Sequence, residues 1–220
     1  MGSLRNKISH NPQLFSAIFT LAFLLFGSIL YYIGLEFIIL LTPVVLGCVL
    51  AIIIYFWEES PKKKAITVSA VALSGFLIET LGVNTGLVFG NYTYGNLLGW
   101  KLFGTPLFIG LLWFLVSYSS FIIVKELSSS RLMRFALAIV LIVSFDLILE
   151  QFAIVYKFWF WPGNEVPLLN YISWAFTGLI YLAFYEFFLN KKASNFPLYA
   201  SAVLPILSIW LWIMIVIKTI

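Results

Sequence analysis

The sequence predicts an all-α fold: a polytopic membrane protein, a bundle of about seven transmembrane helices in which two segments read as an internal parallel repeat. Three observations predict it. Of the 220 residues, 62% are hydrophobic and only 10% charged, with a mean hydropathy of +1.04, whereas a soluble domain carries roughly a quarter charged residues. Apolar runs of bilayer length recur along the whole chain and leave no stretch for a separate water-soluble catalytic domain. Basic residues collect in alternate connections, as the positive-inside rule requires of consecutive spans.

The first span, 13–33, is as long as a full crossing and no small-residue cleavage site follows it, which separates it from a signal peptide. Gly34, Leu35 and Glu36 make a tight helical hairpin into the second span, 36–57. Lys62, Lys63 and Lys64 precede the third, 65–81, and a Gly-rich uncharged stretch leads to the fourth, 105–124. Lys125, Arg131 and Arg134 surround the connection to the fifth, 132–156, and an aromatic loop leads to the sixth, 171–189. Lys191 and Lys192 stand before the seventh, 197–217. Residues 1–220 thus read as a single integral membrane domain.

With Arg5 and Lys7, ten of the 13 basic residues fall on one side, leaving Lys101, Lys157 and Lys218 for the other. The N-terminus is expected in the cytoplasm and the C-terminus outside, in the cell membrane. The net charge of +4 is therefore a topology signal, and no nucleic-acid partner is expected; the surroundings are membrane lipids.

Composition narrows the chemistry. The only histidine, His10, lies in the polar N-terminal tail, and the only cysteine, Cys48, lies in an apolar run and reads as an inert core thiol. Histidine-rich di-iron centres, haem, zinc and imidazole general-base catalysis lose their ligands. No GxGxxG or GxxxxGK motif occurs, so the expected reaction uses no cofactor and no metal. What remains is carboxylates, hydroxyls, amides and aromatic faces.

Setting aside Glu36 at the start of the second span and Glu186 in the final turn of the sixth, three acidic residues fall inside spans: Glu79, Asp146 and Glu150. A charged carboxylate near the bilayer centre costs at least about 2.5 kcal/mol, so each needs a partner, a proton or a water-filled cavity. Asp146 and Glu150, four residues apart, share a helix face. At 1.5 Å per residue, Glu79 stands roughly 21 Å above Ala65, at the depth of Glu150, so the three can meet in one site. A buried cluster of like charges is expected to keep at least one proton at neutral pH, giving an acid beside a base. The bland reading is three acids that glue helices together.

The stretch from Gly82 to Gly95 carries no charge and is expected to fold back over these carboxylates, since irregular backbone at membrane depth must be buried or line a cavity. The second loop, Tyr156 to Pro162, is densely aromatic. Seven of eight tryptophans, Trp100, Trp113, Trp159, Trp161, Trp174, Trp210 and Trp212, map to the outer half, with Trp57 inside, which favours an aromatic pocket over a two-sided belt. Pro106 is followed seven residues on by Trp113, and Pro167 by Trp174, so Glu79 and Glu150 become equivalent positions of a repeat.

The order Glu79, Gly82, Gly86, Phe89-Gly90, Tyr92, Tyr94, Pro106, Trp113, then Asp146, Glu150, Trp159, Trp161, Val166-Pro167, Asn170 and Trp174 resembles the carotenoid 1,2-hydratase family over about residues 75–185. Gln151 stands where that family usually has Pro, and Asn164-Glu165 where it often has Tyr-Gly, so the resemblance specifies the reaction class more closely than the substrate. It implies addition of water across the terminal C1=C2 double bond of an acyclic carotenoid end, of the lycopene, gamma-carotene or bisanhydrobacterioruberin type. The implied partners are that isoprenoid lipid and water. A carboxylic acid, Asp146 or Glu79, would protonate C2 to leave a tertiary cation, with Glu150 as base or water-positioner. Tyr92, Tyr94, Trp113, Trp159, Trp161 and Trp174 would wall the pocket, and Asn84 and Asn170 would place water. A carotenoid cyclase would make the same cation and exclude water; a proton-coupled transporter would also carry carboxylates in its spans.

Overall fold

The computed structural model describes residues 11–189 and 197–219. Among them, seven helices are long and apolar enough to cross a membrane. Helix α1, Pro12–Tyr32, starts where the Asn11 side chain accepts the Leu14 N–H at 3.1 Å, with proline at its first position. A 3-10 turn, Glu36–Leu41, runs into α2, Thr42–Phe56, where Pro43 sets the change of winding. The third helix, α3, spans Pro61–Thr85, longer at both ends than the hydropathy of 65–81 suggests. Ser60 caps it at Lys63 N–H, so the lysine run lies inside the first turn. At the other end Thr80, Asn84 and Thr85 bond back to carbonyls four residues earlier until Gly86, at φ +69°, stops the helix.

After α3 come β1, Thr93–Tyr94, and a hairpin of β2, Lys101–Leu102, with β3, Thr105–Pro106. That hairpin takes the residues that hydropathy assigns to the start of the fourth span, so α4 begins later, at Ile109, and ends at Leu127. Helix α4 is the axis of the bundle: most of its side chains are buried, and it packs on α2, α3, α5, α6 and α7. Gly110 lets it touch α3, because a side chain there would meet the Ala72 carbonyl.

Helix α5, Arg131–Tyr156, is capped by Ser130 and ends at Lys157 in the left-handed region. Then follow β4, Trp159–Phe160, and α6, Leu168–Phe188, the latter begun by Pro167 rather than at 171. Helix α7, Leu198–Thr219, carries Pro205 internally. Arg134 and Glu186 join α5 to α6 at 2.7 Å. The hydroxyls of Thr20 and Tyr199 join α1 to α7 at 3.0 Å.

Strands β1 and β4 pair antiparallel, Thr93 opposite Phe160 and Tyr94 opposite Trp159. Two helix–loop–helix units that rise and return in the same sense, α3–α4 and α5–α6, therefore meet through their loops as copies about an axis along the helices would. Cys48 is exposed on the apolar outside of the bundle rather than in the core; α2 turns its other face inward, through Leu46, Val49 and Ile53. Arg5, Lys7, Lys191 and Lys192, four of the ten basic residues of the predicted topology signal, and His10 lie outside the described residues.

Candidate active site

Glu79 sits near the end of α3 and is 3% exposed. Its carboxylate takes three donors: the Tyr92 hydroxyl at 2.5 Å and the Tyr94 hydroxyl at 2.7 Å on Oε2, and the Trp113 indole N–H at 2.9 Å on Oε1. Residues 92 and 94 alternate along an extended segment, so both phenols face the same way. Burial first, and the Glu79 charge second, hold both hydroxyls well above the usual tyrosine range, so they remain protonated donors.

Glu150, on α5, repeats the arrangement with different side chains. The indole N–H groups of Trp159 and Trp161, again two apart, donate to Oε2 at 2.8 and 2.7 Å. Its other oxygen takes only a 3.3 Å bond from the Asn170 amide. That amide donates more closely, at 2.7 Å, to Asp146 Oδ2. Asp146 is wholly buried, and its Oδ1 has no partner among the described residues. Rings from the two units lie against one another: Tyr92 on Trp161 with centroids at 4.9 Å, Tyr94 on Trp159 at 5.8 Å, and Trp113 on Trp174 at 4.0 Å.

Glycine makes this convergence possible. A Cβ on Gly82 would lie 2.6 Å from the Phe89 ring, so the loop can fold back over the end of α3 only because position 82 is bare. Gly90, at φ +104°, would with a Cβ approach Pro167 to 2.6 Å. The Ser173 hydroxyl donates to the Val88 carbonyl and ties the same loop to α6.

Between the carboxylates lies a cavity of about 10 Å³, the least volume that holds one water. Glu79, Tyr92, Tyr94, Glu150, Trp159, Trp161, Asn170 and Trp174 line it, and Trp113 backs it through Glu79 and Trp174. Two of the predicted residues stand elsewhere. Asn84 is exposed and uses its amide on the Thr80 and Phe103 carbonyls, at 2.7 and 3.0 Å. It secures the last turn of α3, which runs beyond residue 81, and does not place water in the cavity. Asp146, one turn before Glu150 on α5 and bonded to the Asn170 amide, is not part of the lining. Phe89, quoted above only as part of the family pattern, and Ile109, one apolar residue among many, also line the cavity without having been expected there. The outer tryptophans divide: Trp100 and Trp212 are exposed, as in a belt, and Trp210 is buried away from the carboxylates.

A family model for carotenoid biosynthesis proteins matches residues 39–220. The bisanhydrobacterioruberin hydratase of Haloarcula japonica is 26% identical over 134 residues, which are 57% of this chain. The match spans 46% of that relative's length. No solved structure matches.

Proposed function

The chain belongs to the carotenoid biosynthesis protein family, and from that premise we propose that it is a cofactor-independent carotenoid 1,2-hydratase. It adds water across the terminal C1=C2 bond of an acyclic carotenoid end. The similar hydratase from Haloarcula supports the reaction class. The observation that carries the reading is the unequal supply of donors to carboxyls around one cavity of single-water size.

Glu79 takes three donors and is the standing anion. An ionised Asp146 would leave a buried oxygen bare, a penalty of about 1–3 kcal/mol or more for a charged group, so Asp146 and Glu150 hold one proton between them. Glu150, the member that faces the cavity, passes that proton to C2. The positive charge left on C1 lies against the Glu79 carboxylate and the Trp161 and Trp174 faces, each aromatic contributing about 2 kcal/mol when desolvated. Water then bonds to C1 and its surplus proton goes to the Glu150 carboxylate, which restores the starting state. The acid is thus the Asp146–Glu150 pair rather than Glu79, and Glu150 is also the base.

Lys62, Lys63, Lys64, Arg131 and Arg134 stand at the opposite end of the bundle from the cavity, which supports a cytoplasmic N-terminus and a site in the outer half of the cell membrane. The test is expression in a lycopene-producing host with mass analysis of the extracted pigments. A product heavier by one water is expected. A product of unchanged mass with new rings makes the protein a cyclase, and unchanged pigment beside well-inserted protein ends the carotenoid hydration reading.

A further inference from the structure

Two further cavities lie on the other side of the central helices. The larger, about 240 Å³, opens between α1, the turn before α2, and α7, beside Gly27, Thr42 and Trp210. The second, about 40 Å³, lies between α2, α4, α5 and α7. Thr42 and Trp210 line both, and Trp159 lines both the second cavity and the carboxylate cavity. At Trp159 the partition is a single side chain, and on α5 Leu149 lines the second cavity where its neighbour Glu150 lines the carboxylate cavity. On α4, Leu112 and Ile109 divide in the same way.

Grooves between membrane helices ordinarily hold lipid tails. This series differs in ending at Trp159, whose indole N–H bonds Glu150. The lining is apolar but for Thr42, whose hydroxyl is spent on the Ile39 carbonyl. A rod of hydrocarbon with no polar group fits such a lining, and a headgroup does not.

We propose that these two cavities are the seat of the substrate's polyene body, which lies across the bundle from the α1–α7 opening with its reacting end passing Trp159 to reach Glu150. The proposal deepens the hydratase reading and rests on it for the identity of the ligand. It gives α1 a role in substrate choice, although the family match begins only at residue 39. It also gives Trp159 a second duty, since the indole must turn aside to admit the chain end and in turning removes one of the two indole donors on Oε2 of Glu150, leaving that of Trp161.

Gly27 is the place to test it. A Cβ there meets nothing closer than Ile38 Cγ2 at 3.8 Å, so a larger side chain enters the cavity without straining the helix. Turnover is compared within each variant on a full-length carotenoid and on a short acyclic isoprenoid with the same end group. For Gly27→Phe the long-to-short ratio is expected to fall about tenfold, the scale on which apolar pockets discriminate. For Val44→Phe, on the exposed face of α2, the ratio stays at the wild-type value. An unchanged ratio in Gly27→Phe overturns the seat while leaving hydration intact; absence of turnover in the wild type overturns hydration instead. A second measurement does not need activity. A photoreactive diazirine amino acid at position 27 is expected to crosslink an added polyene, and one at position 44 is not. Equal crosslinking at both positions, or crosslinking to phospholipid alone at position 27, overturns the proposal.

Discussion

Glu79 and Glu150 occupy matching places in two helix–loop–helix units, and the units hold them differently. Around Glu79 the short strand supplies two phenols, and Trp113 crosses from α4 to complete the set. Around Glu150 the paired strand supplies two indoles. Trp174, the counterpart of Trp113, stacks on that ring and leaves the remaining oxygen to Asn170. One turn before each glutamate the difference is larger: Gly75 in the first unit, Asp146 in the second. Gly75 makes room for Trp113, whose Cβ would otherwise be 2.9 Å from a side-chain carbon at position 75. Asp146 instead adds a carboxyl, and Asn170, where the first unit has Ile109, ties it to Glu150. A repeated scaffold thus brings two carboxylates to one cavity, and three or four changed residues give one of them a full set of donors and the other a neighbouring carboxyl joined to it through Asn170.

The comparison breaks first at Glu150. Glu150→Gln keeps the volume and an acceptor for the indoles but cannot carry a proton, so hydrated pigment per unit of inserted protein should fall about a thousandfold, as expected for a lost general acid–base. Glu79→Gln removes only the standing negative charge and should cost about a hundredfold, the scale of one electrostatic stabiliser. It should also lower the unfolding temperature in detergent, because the amide N–H₂ replaces one acceptor oxygen and faces either the Trp113 N–H or the two tyrosine hydroxyls. If the two variants lose activity in the reverse order, the units have exchanged roles.

A smaller effect is expected at Asp146, and there the sign of the stability change is informative. Asp146→Asn removes a carboxyl with one uncovered buried oxygen, so the folded state should be no less stable than wild type by thermal unfolding. Activity should nevertheless drop about tenfold, because Glu150 then loses the neighbour that keeps a proton in the pair. A marked fall in stability would show that Asp146 is a structural carboxylate with a donor of its own.

Much of this arrangement is legible in the sequence. An acidic residue inside an apolar run stands out, and helical spacing alone puts Asp146 and Glu150 on one face. The repeat of proline and tryptophan seven apart marks Trp113 and Trp174. The pairing of β1 with β4 is not legible, since strands of two residues carry no periodicity, although that pairing is what stacks Tyr92 and Tyr94 on Trp161 and Trp159. Nor does helical spacing show that Asn170 stands between Asp146 and the cavity, for spacing gives a face and not what covers it. Asn84 misleads for a related reason: hydropathy ends the span at 81, but three polar side chains bonding back along the helix carry α3 to Thr85 and turn Asn84 outward. The third lysine of the basic run, Lys64, likewise bonds the Ile54 carbonyl instead of standing free in a loop.

Gly75 sharpens the comparison with the smallest change. An added methyl would lie 2.9 Å from Trp113 Cβ and 3.0 Å from Cγ and Cδ1. Trp113 has nowhere to withdraw, since it is wholly buried, stacked on Trp174 and bonded to Glu79. Gly75→Ala should therefore cost about 1–3 kcal/mol of stability, the range for overpacking a well-filled core, read as a lowered unfolding temperature in detergent. Because the strain falls on the indole that holds Glu79 and not on Glu150, pigment hydration should fall by less than in Glu79→Gln. A variant of unchanged stability would mean that α3 and α4 can slide apart at this point, and that the bare backbone at position 75 is not what seats Trp113 against its carboxylate.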